Sequence, residues 1–117
     1  MDTRQLIEAY HKAWTTGDLN EARSYLADAL DFQGSINTFT SADNFMKALA
    51  DFRNILRGVT RLKTFCDGAE AALLYDCDTE SPAGVVRTAE FLTVKEGKIS
   101  AIRLVFDATA LRPLNRQ

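Results

Sequence analysis

At Gly58 the spacing of apolar residues changes from helical to strand-like, and this constrains the fold more than any other feature of the chain. Upstream, apolar side chains recur at three- and four-residue intervals; downstream they sit in β-branched and aromatic runs broken by short turns. A chain that is helical first and strand-rich last builds an α+β domain, because hairpin-linked strands form a sheet and the helices cover one of its faces. Its 117 residues fit one domain, expected to span 1–117, with enough chain to bury a core unaided by metal or disulfide.

The local signals place the elements. Asp2 is set to cap a first helix that turns Leu6, Tyr10, Ala13 and Trp14 inward, with Ile7 on its flank. Gly17 suits its left-handed end, and Asp18, three residues before Glu21, opens a short second helix that fades at Ala27-Asp28. A short strand is expected through Leu30, Asp31 and Phe32, ending at Gly34. Ser41 caps a third helix running to about Leu56, with Phe45, Leu49, Phe52 and Leu56 as its apolar stripe and Lys47, Asp51, Arg53 and Asn54 facing away. Four strands follow at 59–66, 71–78, 85–95 and 99–106, separated by Asp67-Gly68, Ser81-Pro82-Ala83-Gly84 and Glu96-Gly97. Runs such as Ala72-Leu73-Leu74-Tyr75 are apolar on both faces, so a second copy of the chain is expected to cover the outer face of the sheet.

Composition excludes several kinds of chemistry. Fourteen basic and sixteen acidic side chains leave a net charge of -2, which is no surface for nucleic acid or an anionic membrane. The start, Met1-Asp2-Thr3-Arg4, has no apolar secretory core, so the expected location is the cytoplasm. The two cysteines, Cys66 and Cys77, are read as small buried hydrophobes, although a bridge between them stays open. One histidine, His11, leaves no ordinary nucleophile–histidine kit, and GxSxG, HExxH and a phosphate-binding glycine loop are all missing. His11 shares a side with Ile7 and Trp14 and is expected to be partly exposed.

The run Tyr10 to Leu19 with Trp14 and Gly17-Asp18-Leu19, then Tyr25-Leu26-Ala27-Asp28, then Glu90 to Ile99, and finally Val105-Phe106-Asp107 resembles the nuclear transport factor two-like superfamily, nearest its SnoaL-like polyketide cyclases and ketosteroid isomerases. The resemblance implies three N-terminal helices on a strongly curved mixed, mainly antiparallel sheet, forming a cone with an apolar pocket. It also implies a homodimer, no metal or organic cofactor, and a small apolar or carbonyl-containing ligand. Two activities follow from it: proton transfer next to a carbonyl, as in an isomerase or cyclase, or non-catalytic binding of a small molecule or partner protein.

Matched on Gly17-Asp18-Leu19, Tyr10 falls where ketosteroid isomerases keep an oxyanion-hole tyrosine; matched on Gly97-Lys98-Ile99, Glu90 falls on the acid beside it. The isomerase base position reads Gly34, with Asp31 three residues away. SnoaL-like sequences instead carry a pocket acid at the position of Asp107, and Arg103, two residues before Val105, shares its strand parity. The resemblance thus nominates Tyr10, Glu90 and Asp107 as catalytic, and Trp14, Phe32, Phe45, Leu49, Phe52, Tyr75 and Arg103 as substrate-binding. Each has a plainer reading: Tyr10 as core, Glu90 paired with Arg103 or Arg87, Asp107 capping the turn after it, the aromatic residues as packing. Asp76 and Asp78 share a face and are read as solvated rim charges.

Overall fold

A computed structural model describes residues 1–109. Three helices, α1 (Thr3–Thr16), α2 (Leu19–Ser24) and α3 (Ala42–Arg53), accompany six strands: β1 (Leu26–Gln33), β2 (Thr38–Phe39), β3 (Leu56–Asp67), β4 (Glu70–Thr79), β5 (Val85–Lys95) and β6 (Lys98–Phe106). The caps are those the sequence signals. Asp2 and Gln5 close a reciprocal capping box on α1, Gly17 ends it at φ 92°, and the Asp18 and Ser41 side chains accept from Glu21 and Asn44 amides.

The strands form a single sheet in the order β2-β1-β6-β5-β4-β3. β3 to β6 run as an antiparallel meander, whereas β1 lies parallel to β6, making the sheet mixed. Register shifts interrupt β3 against β4 at Leu56/Gly58 and Arg61/Lys63, and β5 against β6 at Thr93/Val94. Such bulges bend a strand and add twist, and the sheet accordingly curves around the helices without closing. The Glu96-Gly97 hairpin has both residues at positive φ, 54° and 76°, as a two-residue turn between twisted strands requires.

The structure departs most from the sequence reading around β1, β2 and β3. α2 stops at Ser24, and β1 begins at Leu26, four residues before the expected strand, because Tyr25 and Leu26 are drawn onto β6: the Ile99 amide donates to the Tyr25 carbonyl at 2.9 Å, and Leu26 pairs with Ile99. α3 ends at Arg53, and Leu56 opens β3 opposite Thr79, with the Glu80 amide on the Ile55 carbonyl at 2.7 Å. Leu56 keeps helical spacing from Phe52, but its sheet partner decides its conformation. The two-residue β2 carries no periodic signal of its own and exists as the partner of Phe32 and Gln33.

The core lies between the concave face of the sheet and the helices. Leu6, Ile7, Tyr10, Ala13 and Trp14 of α1, Phe45 and Leu49 of α3, and Leu73, Tyr75, Leu92, Ile99 and Ile102 of the sheet are all buried. On the convex face, Phe65, Phe91 and Val105 are 63%, 50% and 57% exposed. Among the described residues no helix is long and apolar enough to cross a membrane.

Candidate functional site

The concave face is built from alternate residues. On β4 these are Leu73, Tyr75, Cys77 and Thr79; on β5 they are Val86, Thr88, Glu90 and Leu92; all are buried. Between this face, α1 and α3 lies a cavity of about 400 Å³, within the range of small-molecule sites. Tyr10, Trp14, Phe32, Phe45, Leu49, Phe52 and Tyr75 all line it, as do Phe39, Phe106, Cys77, Thr88 and Glu90. The loop after β1 completes one side. Ser35 fastens it to the end of β6, its hydroxyl accepting from the Phe106 amide at 3.0 Å, and Gly34 lies in the lining.

Glu90 is 3% exposed. Its direct partner across the ladder is Leu73, and Tyr75, two residues along, reaches it diagonally, its hydroxyl donating to Oε1 at 2.8 Å. His11 projects from α1 behind this pair, its Nε2 3.4 Å from the same oxygen. The imidazole is 2% exposed and stands edge-on to Tyr75 and Trp14, with centroids at 4.7 and 5.0 Å. Its Nε2 makes no hydrogen bond among the described residues and faces the Glu90 carboxylate. Tyr10 is 1% exposed, lines the cavity, and its hydroxyl makes no hydrogen bond among the described residues.

Burial holds the Tyr10 and Tyr75 hydroxyls well above the ordinary phenol value, and the negative charge of Glu90 pushes them further. Both are therefore neutral donors. Burial likewise pushes the Cys77 thiol up to about 12, with Glu90 adding to the effect, so Cys77 offers the cavity no thiolate nucleophile. Cys66 and Cys77 are both free. Among the described residues no group of three His, Cys, Asp or Glu is placed to hold a metal ion.

The structure brings Tyr10 and Glu90 together with the six predicted aromatic and leucine lining residues, and leaves Asp107 and Arg103 outside. Inner positions on β6 are Ile102, Leu104 and Phe106, so Arg103 projects from the convex face, where its guanidinium donates to Asp31 Oδ2 at 2.9 Å. Asp107 lies beyond the strand, exposed, and accepts from the Thr109 amide at 3.0 Å, which holds its carboxyl below the usual range. Arg87, one of the cations set against Glu90 in the plainer reading, is engaged by Asp76 through two bonds of 2.8 and 2.9 Å on the outer face. Asp31, held by Arg103, does not enter the cavity, and a side chain at Gly34 would meet the Phe32 ring at 3.0 Å. His11 departs furthest from expectation: it is buried against Glu90. Its neighbours three residues on and four back, Trp14 and Ile7, are both inward-facing, and that helical spacing was the signal available.

The SnoaL-like domain model matches residues 7–102 of the chain. A solved protein from Kribbella flavida is 32% identical, with a TM-score of 0.86 over 96% of this chain and 92% of its own. A nuclear transport factor two-like protein of unknown function from Cytophaga hutchinsonii is 20% identical, with a TM-score of 0.80 over 98% and 96%. An LEH-like epoxide hydrolase from M. tuberculosis is 18% identical, with a TM-score of 0.74 over 96% and 88%. The last two share the fold. No curated protein matches the chain in sequence.

Proposed function

Because the chain belongs to the SnoaL-like domain family, we propose that it uses its cavity for proton transfer next to a carbonyl, on a small, largely apolar substrate, with Glu90 as the acid/base. One observation carries the reading: Glu90, 3% exposed, lines the cavity with a tyrosine donor on its Oε1. A carboxylate placed in apolar surroundings is costly and must be held there by partners, and Tyr75 and His11 are those partners.

In this scheme Glu90 removes a proton from the carbon beside the substrate carbonyl, and the electron pair of that C–H bond becomes the enolate. The neutral Tyr10 hydroxyl donates to the oxygen that gains charge, which stabilises the enolate most in a water-poor site. Glu90, now protonated, returns the proton to the same carbon or to a conjugated one, restoring a neutral product. Tyr75 fixes Oε1 and so leaves Oε2 toward the substrate, while Trp14 and the phenylalanines exclude water. The acid expected at Asp107 is thereby replaced by Glu90. The exposed Phe65, Phe91 and Val105 support a homodimer through the convex face.

The test is deuterium exchange. In D₂O the wild-type protein should accelerate loss of the α-proton signal of phenylpropan-2-one, and Glu90→Gln should return the rate to that of buffer. Exchange no faster than buffer for the wild type, across a panel of ketones that fit the cavity, would overturn the reading.

A further inference from the structure

The charge inside the cavity says what kind of molecule it takes. Two carboxylates line it, the buried Glu90 and the exposed Asp51 of α3, and no Lys or Arg among the described residues does. Basic groups nearby are otherwise engaged. The Arg53 guanidinium donates to the Thr15 carbonyl at 2.9 Å, Arg103 is on the convex face with Asp31, and His11 lies behind Glu90. Both contacts to Glu90 fall on Oε1, so Oε2 has no hydrogen-bond partner among the described residues, although a carboxylate has about four acceptor sites.

Much of the lining is aromatic: eight lining residues are Phe, Tyr or Trp. The faces of such rings carry the negative part of their quadrupole and attract cations, most strongly where water is excluded. An anion entering this space would lose its hydration and find no Lys or Arg among the described lining residues, only neutral donors such as the Tyr10 hydroxyl; a neutral ketone would gain nothing from Asp51. A compact cation with an apolar body gains on every side.

We infer that the ligand of this cavity carries a positive charge: a small, largely apolar amine or alkylammonium ion, its charge against the aromatic walls between Glu90 and Asp51. The inference takes from the proposed function only that the cavity is the ligand site. It narrows the substrate class to amine-bearing molecules, whose charge Glu90 holds together with the rings and, more weakly, Asp51.

Three probes of matched shape test it on the full chain by isothermal titration: phenethylamine, phenethyl alcohol and phenylacetate, charged positively, not at all and negatively at neutral pH. The amine should bind roughly tenfold more tightly than the alcohol, and phenylacetate more weakly than either. Glu90→Gln should bring the amine down to the level of the alcohol. Asp51→Asn, at an exposed position where folding is not at stake, should cut the amine's advantage about twofold, and added salt should do the same. Equal binding of amine and alcohol, tighter binding of phenylacetate, or an advantage that survives both substitutions would overturn the inference. Binding of none of the three would overturn it together with the cavity as ligand site. Amine binding without any ketone exchange would leave it standing and remove the proposed proton transfer alone.

Discussion

Replacing Tyr75 by Phe removes one oxygen and leaves Glu90 without its only hydrogen-bond donor among the described residues. The ring keeps its packing against His11, so the change isolates the bond. Hydrogen bonds to charged groups contribute about 1.5–3 kcal/mol, and a buried acceptor left unsatisfied falls toward the top of that range. For 117 residues, unfolding entropy is on the order of 0.25 kcal/mol per kelvin. A loss of about 2 kcal/mol thus lowers the melting temperature by about 8 °C. The assay is thermal unfolding followed by circular dichroism, run as a cycle with Glu90→Gln. The double variant should lose less than the sum of the singles, with a coupling of about 1 kcal/mol, because the charged partner is already gone. A Tyr75→Phe loss below about 2 °C, or strict additivity, would refute the claim that this bond holds the buried carboxylate.

Two further outcomes are expected. The Cys77, Tyr10 and Tyr75 groups all sit above their unfolded values, so the native state keeps protons that the unfolded chain has lost, and stability is complete below about pH 9 and falls as pH rises. Cys77 alone gives a slope of about 1.4 kcal/mol per pH unit from pH 9, steepening above pH 10 as the tyrosines join; equal urea midpoints at pH 8 and pH 10.5 would contradict this. Light scattering should give twice the 13.0 kDa chain mass, and Phe91→Glu on the exposed convex face should return it to the monomer value. A wild-type monomer at micromolar concentration would remove the dimer.

What the sequence made legible was local chemistry. Asp2, Asp18 and Ser41 cap the helices they were expected to cap, because a short polar side chain before an apolar helical pattern has few other uses. β5 keeps both its expected ends because turn residues flank it. Boundaries failed where a long-range partner outweighed local spacing, as at Leu26, which joins Ile99 far along the chain, and at Leu56, which joins Thr79. The site followed the same division. Tyr10, Trp14 and Phe45 could be placed on inner helix faces from their periodicity. Strand parity tells which residues share a face but not which face is concave, and so it carried Arg103 and Asp107 toward a cavity that opens on the other side. Nor could it pair Glu90 with Tyr75, since a diagonal contact depends on the register of two strands. His11 was misjudged for another reason: its spacing from Ile7 and Trp14 pointed inward, but an imidazole also suits an exposed helix face, and the buried carboxylate that it faces lies far along the chain.

The central claim is that Glu90, and not Asp107, is the acid that works in the cavity. The most direct measurement compares Glu90→Gln with Asp107→Asn in the rate of α-proton exchange of one ketone. Glu90→Gln should lose about 10²- to 10⁴-fold in rate, and Asp107→Asn should stay within about twofold of wild type. A rate that survives Glu90→Gln and collapses with Asp107→Asn would contradict the claim.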